Sequence, residues 1–126
     1  MSATAARARA AAAGPPASAS GPEAAFAEAV RELVAQIPAG RAMSYGAVAA
    51  CLGSRAARRV GRVMHDSGGT GLPWWRVVTV KGTLPLALWA QALPRYLAEQ
   101  TPLVLLDDSP IRVDMSAAAW DPLRGD

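Results

Sequence analysis

Ser44-Tyr45-Gly46-Ala47-Val48-Ala49-Ala50-Cys51-Leu52-Gly53-Ser54-Arg55-Ala56-Ala57-Arg58-Arg59-Val60-Gly61-Arg62-Val63-Met64 is the stretch on which the fold turns. Val48, Ala49 and Leu52 share one helical face, and Ala56, Val60 and Val63 do the same after Gly53. Ser44 and Ser54 each stand where an N-cap belongs, and Gly53 stands where the first helix must stop and reverse. Two short helices across a tight glycine turn make a helix-turn-helix. On the second helix Arg55, Arg59 and Arg62 fall at i, i+4 and i+7, opposite the apolar stripe, while Ala56, Ala57 and Gly61 keep the helix narrow. Four Arg and no acid lie between Ser54 and Met64. A local basic patch of this kind is the electrostatic footprint of a phosphate-binding surface.

Upstream, Ser20-Gly21-Pro22-Glu23 reads as a helix start, with a capping residue, a Pro tolerated in the first turn and an acid close behind. Phe26, Val30, Leu33 and Ile37 then give an apolar stripe that ends at Pro38-Ala39-Gly40. Downstream, Ser67-Gly68-Gly69-Thr70-Gly71 lacks the Gly-Lys-Ser/Thr ending of a P-loop and is expected to be a connection. Trp75 to Val80 reads as a strand with Lys81-Gly82 as its turn. Leu86, Trp89, Ala90, Leu93 and Leu97 have helical spacing, with a kink or a fresh start expected at Pro94. Val104-Leu105-Leu106 and Ile111-Arg112-Val113 predict a hairpin around a four-residue loop, Asp107 to Pro110. Such a hairpin would serve as the wing beside the helix-turn-helix, and Trp120 would close the core. The expected class is mainly α with small β elements, a winged helix-turn-helix domain.

Among the 126 residues, the first twenty are half Ala, carry only Arg7 and Arg9 as charges and include Gly14-Pro15-Pro16. This composition predicts a disordered extension over 1–21 and one domain over 22–126. An acid-free, Arg-bearing start also fits an organelle targeting peptide, but twelve Arg to one Lys among abundant Ala points instead to a GC-rich bacterial coding bias. The net charge is +3, and without the tail's two Arg it falls to +1, so charge placement matters more than the total. One Cys and one His exclude a disulfide framework and a four-ligand zinc site, and no metal or cofactor is expected. No run approaches the roughly 18 apolar residues of a spanning helix, so no membrane partner is expected. A monomer in the reducing bacterial cytoplasm, associated with the nucleoid, fits these features.

The order Ile37-Pro38-x-Gly40, Ser44-Tyr45-Gly46, Ala57-Arg58, Val60-Gly61-x-x-Met64 and Pro73-Trp74-Trp75-Arg76-Val77-Val78 closely resembles the C-terminal domain of O6-alkylguanine-DNA alkyltransferases, from about Phe26 to Glu99. That family's reactive motif is Pro-Cys-His-Arg, in which the Cys takes the alkyl group and the His serves as base. Here Trp74 stands at the Cys position and Trp75 at the His position. Trp at the former is the mark of the alkyltransferase-like proteins, non-enzymatic relatives that bind O6-alkylguanine in DNA and pass it to nucleotide excision repair. The resemblance implies duplex DNA containing O6-alkylguanine and excision-repair proteins as partners. It also implies a lesion pocket of Tyr45, Pro73, Trp74, Trp75 and Arg76, and DNA contacts by Ser44, Arg55, Ala57, Arg59 and Arg62. Tyr45 resembles the Tyr that crowds the 3′ phosphate and promotes nucleotide rotation. Arg58 resembles the Arg finger that fills the vacated stack, and Arg59 is the less favoured alternative because one residue is missing between Gly53 and Ala56 relative to the commoner spacing. Arg76 resembles a residue whose role is mainly structural, and Glu99 the last member of a Cys-His-Glu relay that here lacks its first two. An Asn usual before the reactive loop aligns near Ser67, and the Gly usual after Glu99 is Gln100.

Elementary chemistry agrees with the non-enzymatic reading. Alkyl transfer needs a thiolate, generated by a neighbouring base from a thiol of pKa about 8.5. Trp74 and Trp75 supply neither nucleophile nor base, so no catalytic residue is expected. A broad indole could instead receive a guanine and its substituent by stacking. Cys51 is expected to be a small buried core residue, since neither it nor His65 maps onto the reactive position. Two other functions compete: a helix-turn-helix regulator reading undamaged sequence, and a residual transferase using Cys51.

Overall fold

The computed structural model describes residues 21–67 and 70–124. The expected extension therefore lies outside the described residues except for Gly21, which caps the first helix with extended backbone and no side-chain hydrogen bond. That helix, α1 (Pro22–Gln36), has Pro22 where its missing N–H loses nothing and Glu23 in its first turn. It ends as Ile37 turns extended ahead of Pro38. Strand β1 (Met43–Ser44), α2 (Tyr45–Cys51) and α3 (Ala57–Asp66) follow, then a 3₁₀ turn at Trp74–Arg76 and β2 (Val77–Val78). Helix α4 (Leu86–Glu99), the hairpin β3 (Leu103–Leu106) and β4 (Ser109–Val113), and the short α5 (Met115–Ala118) complete the chain.

Two apolar clusters hold these elements together. The first joins Val30, Val34 and Ile37 of the α1 region to Val48 of α2, Val60 and Met64 of α3, and Met43 and Val77. The second joins Trp75, Val78, Ala92, Tyr96, Val113 and Ala118. The parallel pairing of β1 with β2 (Met43 with Val77, Ser44 with Val78) lies between them. Because successive strand residues point to opposite faces, Val77 enters one cluster and Val78 the other. Each fully buried Val, Ile or Met contributes about 1.5–3 kcal/mol relative to exposure. This strand pair, short as it is, therefore couples the helix-turn-helix to the α4 half of the molecule.

The Phe26, Val30, Leu33 and Ile37 stripe faces the first cluster as the spacing predicts, with Val34 added. Ser44 caps α2 by accepting the Ala47 N–H at 3.0 Å, and Gly53 (φ +74) makes the turn. Ser54 does not cap α3. Its hydroxyl accepts the Ala56 N–H at 3.0 Å inside the linker, so the helix begins only at Ala57 and Arg55 lies ahead of it. The strand expected over Trp75–Val80 reduces to Val77–Val78. Its start is taken by the 3₁₀ turn, and its end by a tight turn in which Thr79 accepts the Gly82 N–H through its carbonyl and the Thr83 N–H through its hydroxyl. At Gly82 (φ +87) a Cβ would fall 2.1 Å from the Val113 carbonyl oxygen, so only glycine fits that crossing.

Helix α4 runs unbroken through Pro94 rather than restarting there. Pro94 and Ala90 are both exposed, so water can take the carbonyl that the missing N–H leaves free. The hairpin loop is two residues long, not four. Asp107 (φ 51) and Asp108 (φ 67) both adopt the left-handed conformation that a two-residue turn between twisted strands requires, and β4 starts at Ser109. Leu103 and Val113 seat the hairpin on the second cluster. Trp120 packs on the first cluster and donates its N–H to the Ala42 carbonyl. No helix among the described residues is long and apolar enough to cross a membrane.

Candidate nucleic-acid interface

A cavity of about 360 Å³ opens where the helix-turn-helix, the 3₁₀ turn and α4 meet. Its walls are Tyr45 from the start of α2, Gly61, Met64 and His65 from α3, Trp74 from the 3₁₀ turn, and Leu84, Leu88 and Gln91 around the first half of α4. The volume lies within the range of small-ligand sites. Burial pushes the Tyr45 phenol up from its ordinary value, so the ring presents a neutral hydroxyl. Trp74 is half-buried and meets Trp75 edge to face, centroids 5.8 Å apart at 89°.

Of the five residues expected in a lesion pocket, Tyr45 and Trp74 line this cavity, whereas Pro73, Trp75 and Arg76 do not. Trp75 is turned into the second cluster, where its indole N–H donates to Glu99 at 3.1 Å and Arg95 lies over its ring at 4.3 Å. Arg76 donates to Glu99 through both Nε and Nη2 and to the Ile37 carbonyl through Nη1. Glu99 also accepts the Gly40 N–H at 3.2 Å. Burial raises the Glu99 pKa, but hydrogen bonds from Arg76 and Gly40, the Arg76 charge and the Trp75 indole outweigh it and hold the carboxyl below its ordinary range. Arg76 is thus a structural tie, and Glu99 is its counterpart. The Tyr96 hydroxyl donates to the Trp75 carbonyl, which fixes the turn carrying Trp74 from behind.

The arginines divide between two sides of the recognition segment. Arg58, in the first turn of α3, is exposed and shares a face with Gly61 and His65, at i+3 and i+7, which line the cavity. Arg59 and Arg62 instead line a second groove with Glu23, Phe26 and Asp66 against α1, and the Arg59 guanidinium lies 4.1 Å from the Phe26 ring centroid. Arg55 is exposed in the linker and is not part of a helical stripe. Ala57 is the first residue of α3, and the Ser44 hydroxyl is engaged in its cap. Cys51 is exposed, contrary to the buried position expected of it, because α2 is short enough to leave its last residue at the rim. Burial and then the nearby Asp121 raise its thiol pKa, and it lines neither cavity nor groove. Among the described residues no cluster of His, Cys, Asp and Glu could hold a metal ion.

Sequence reasoning missed the α4 wall. Leu88 and Gln91 fall at i and i+3 on α4 beside the buried Ala92, with Leu84 just ahead of the helix, and the spacing of Leu88 and Gln91 was the available signal.

The family defined by the 6-O-methylguanine DNA methyltransferase DNA-binding domain matches residues 25–100, a span that holds the helix-turn-helix, the Trp74 turn and α4. The chain belongs to this family. Among curated proteins, the DNA base-flipping proteins of Escherichia coli (strain K12) and Shigella flexneri are each 48% identical over 63 residues, covering 48% of this chain and 49% of theirs. The match therefore spans about half the length of these relatives. Among solved structures, S. pombe Atl1 in complex with damaged DNA containing O6-carboxymethylguanine superposes with a TM-score of 0.68 at 26% identity, over 78% of this chain and 96% of that one. A second complex, S. pombe ATL with DNA, gives the same TM-score at 24% identity and supports the fold. Within the matched span, the run Pro73-Trp74-Trp75-Arg76 holds neither Cys nor His.

Proposed function

We propose that this family member is a non-enzymatic sensor of O6-alkylguanine in duplex DNA. Helices α2 and α3 dock on the duplex, Tyr45 crowds the backbone, Arg58 fills the stack, and the extruded base enters the cavity against Trp74. The observation that carries the reading is the cavity itself: it lies at the junction of helix-turn-helix and reactive turn, and an indole stands where an alkyl acceptor would be. Arg58 is favoured over Arg59 as the finger because it shares the cavity's face of α3, while Arg59 is held over Phe26. The raised pKa of Cys51 and its place outside the cavity lining argue against a substitute nucleophile. The similarity to the E. coli DNA base-flipping protein and to Atl1 bound to damaged DNA supports the same reading. The bound lesion is then handed to nucleotide excision repair, in the bacterial cytoplasm, by the monomer.

Gel-shift titrations with matched duplexes holding guanine, O6-methylguanine or a bulkier O6-alkylguanine test it. The modified duplexes are expected to bind more tightly, and mass spectrometry after incubation is expected to show an unchanged chain. A gain of one methyl group, abolished in Cys51→Ser, would overturn the non-enzymatic reading. Equal affinity for all three duplexes would favour a regulator of undamaged sequence.

A further inference from the structure

The cavity has a polar feature that the proposed function does not use. Its side-chain hydrogen-bonding groups are the Tyr45 hydroxyl, the Trp74 indole, the His65 ring and the Gln91 carboxamide. The first two offer one polar atom each, and a His ring turns one nitrogen at a time toward a given edge. Only Gln91 carries a donor and an acceptor side by side in one plane. It is exposed on the second turn of α4, at i+3 from Leu88, which lines the same wall together with Leu84 from just ahead of the helix. Among the described residues its amide takes part in neither the network around Glu99 nor any capping hydrogen bond.

The chemistry of the base supplies the other half of the argument. Guanine presents two adjacent donors on its Watson–Crick edge, N1–H and the 2-amino group. Alkylation at O6 removes the N1 proton, so the same edge becomes an acceptor at N1 beside the 2-amino donor. Set against N1 and the 2-amino group, a carboxamide matches the second pattern with both of its groups, donating N–H to N1 and accepting from the 2-amino group through its C=O, and in that register it cannot pair both groups with two donors. A site built this way rejects the wrong partner because one polar group is left unpaired in a desolvated pocket. Extruded bases are read on this edge.

We propose that Gln91 is a specificity-determining residue that reads the N1 and 2-amino edge of O6-alkylguanine, while Leu84 and Leu88 in the same wall receive the apolar substituent. This rests on the proposed extrusion of the base into the cavity. The device separates damaged from normal guanine by protonation pattern and leaves the size of the alkyl group free.

The test compares wild type, Gln91→Leu and Gln91→Glu on duplexes carrying guanine, O6-methylguanine or O6-methylhypoxanthine, the last lacking only the 2-amino group. Wild type is expected to lose about tenfold in affinity when the 2-amino group is removed, the scale of one bidentate base contact. Gln91→Leu is expected to bind the two methylated duplexes alike while keeping its melting temperature, since the residue is exposed. Gln91→Glu, with two acceptors, is expected to narrow the gap between O6-methylguanine and guanine. If Gln91→Leu keeps the wild-type ratio between the methylated duplexes, the assignment to Gln91 falls and damage recognition stands. If wild type itself binds guanine and O6-methylguanine alike, both readings fall together.

Discussion

Trp74 and Arg58 act on different parts of one proposed event, and single substitutions separate them. Truncating Trp74 removes cavity wall but no phosphate contact. Trp74→Ala is therefore expected to shrink the affinity ratio between O6-methylguanine and guanine duplexes while leaving the weaker, unmodified binding nearly unchanged. Arg58 lies outside the cavity on the same helical face, where it can replace a lost stacking partner. Extrusion costs a few kcal/mol of stacking and pairing, and less when the opposite strand is abasic. Arg58→Ala should therefore weaken binding to a paired lesion much more than to the same lesion opposite an abasic site. Equal weakening of both would make Arg58 a phosphate contact and remove the finger. A fluorescent base analogue at the target position gives an independent readout of extrusion in both variants.

At the scale of elements, α3 opens with Arg58 and Arg59 in a first turn that has neither an acid nor a side-chain cap. That arrangement opposes the helix dipole and would be a poor choice for stability alone, but it concentrates positive potential where an anionic backbone approaches. Neutralising four to six phosphates predicts a slope of roughly −4 to −5 in log affinity against log salt. Arg55→Ala and Arg62→Ala should each reduce it by about one without altering damage preference. Arg59 is committed to Phe26, so Arg59→Ala should change the slope less and instead lower stability by about 0.5–1 kcal/mol, the scale of a surface cation–π contact. The end of α4 yields a second expectation. Gln100 caps it with a left-handed backbone, φ 60, where glycine is the unstrained residue. Gln100→Gly should raise unfolding stability by about 0.5–1 kcal/mol in urea titrations, and a loss of stability would show that the side chain contributes more than the backbone strain removes.

Across the whole molecule, Glu99 ties the end of α4 to Gly40 after α1 and to Trp75 and Arg76 in the turn that carries Trp74. Its folded pKa lies below the ordinary value of 4.5, so the carboxylate contributes stability above that pH and loses it as pH falls through the depressed folded value. Glu99→Gln should cost about 1–3 kcal/mol at pH 7, since it leaves the Arg76 guanidinium without its charged partner. It should also flatten the acid limb of the stability profile below pH 4.5. An unchanged profile in denaturant titrations would mean that Glu99 is not the group whose protonation loosens the fold.

The helix-turn-helix, the stripe on α1, the Ser44 cap and the reversal at Gly53 were legible in the sequence because each depends on neighbours no more than about four residues apart. That the run Pro73-Trp74-Trp75-Arg76 holds neither Cys nor His was equally plain, since it is a matter of residue identity. Local pattern misled where two local choices compete: Ser54 bonds inside the linker instead of capping α3, and Thr79 with Thr83 closes a turn that truncates the expected strand. Which Trp faces the cavity could not be read from Trp74-Trp75, because the 3₁₀ turn and the hydrogen bond to Glu99, 24 residues away, decide it. The same holds for the split of the arginines, set by Phe26 across the α1–α3 contact, and for the wall of Leu84, Leu88 and Gln91, set by how α4 crosses the reactive turn. Sequence alone determined the α1 stripe, the helix-turn-helix and the absence of Cys and His between Pro73 and Arg76, since short-range sterics and residue identity suffice for those. Only the tertiary structure decided the membership of the cavity, because that depends on packing between residues distant in the chain.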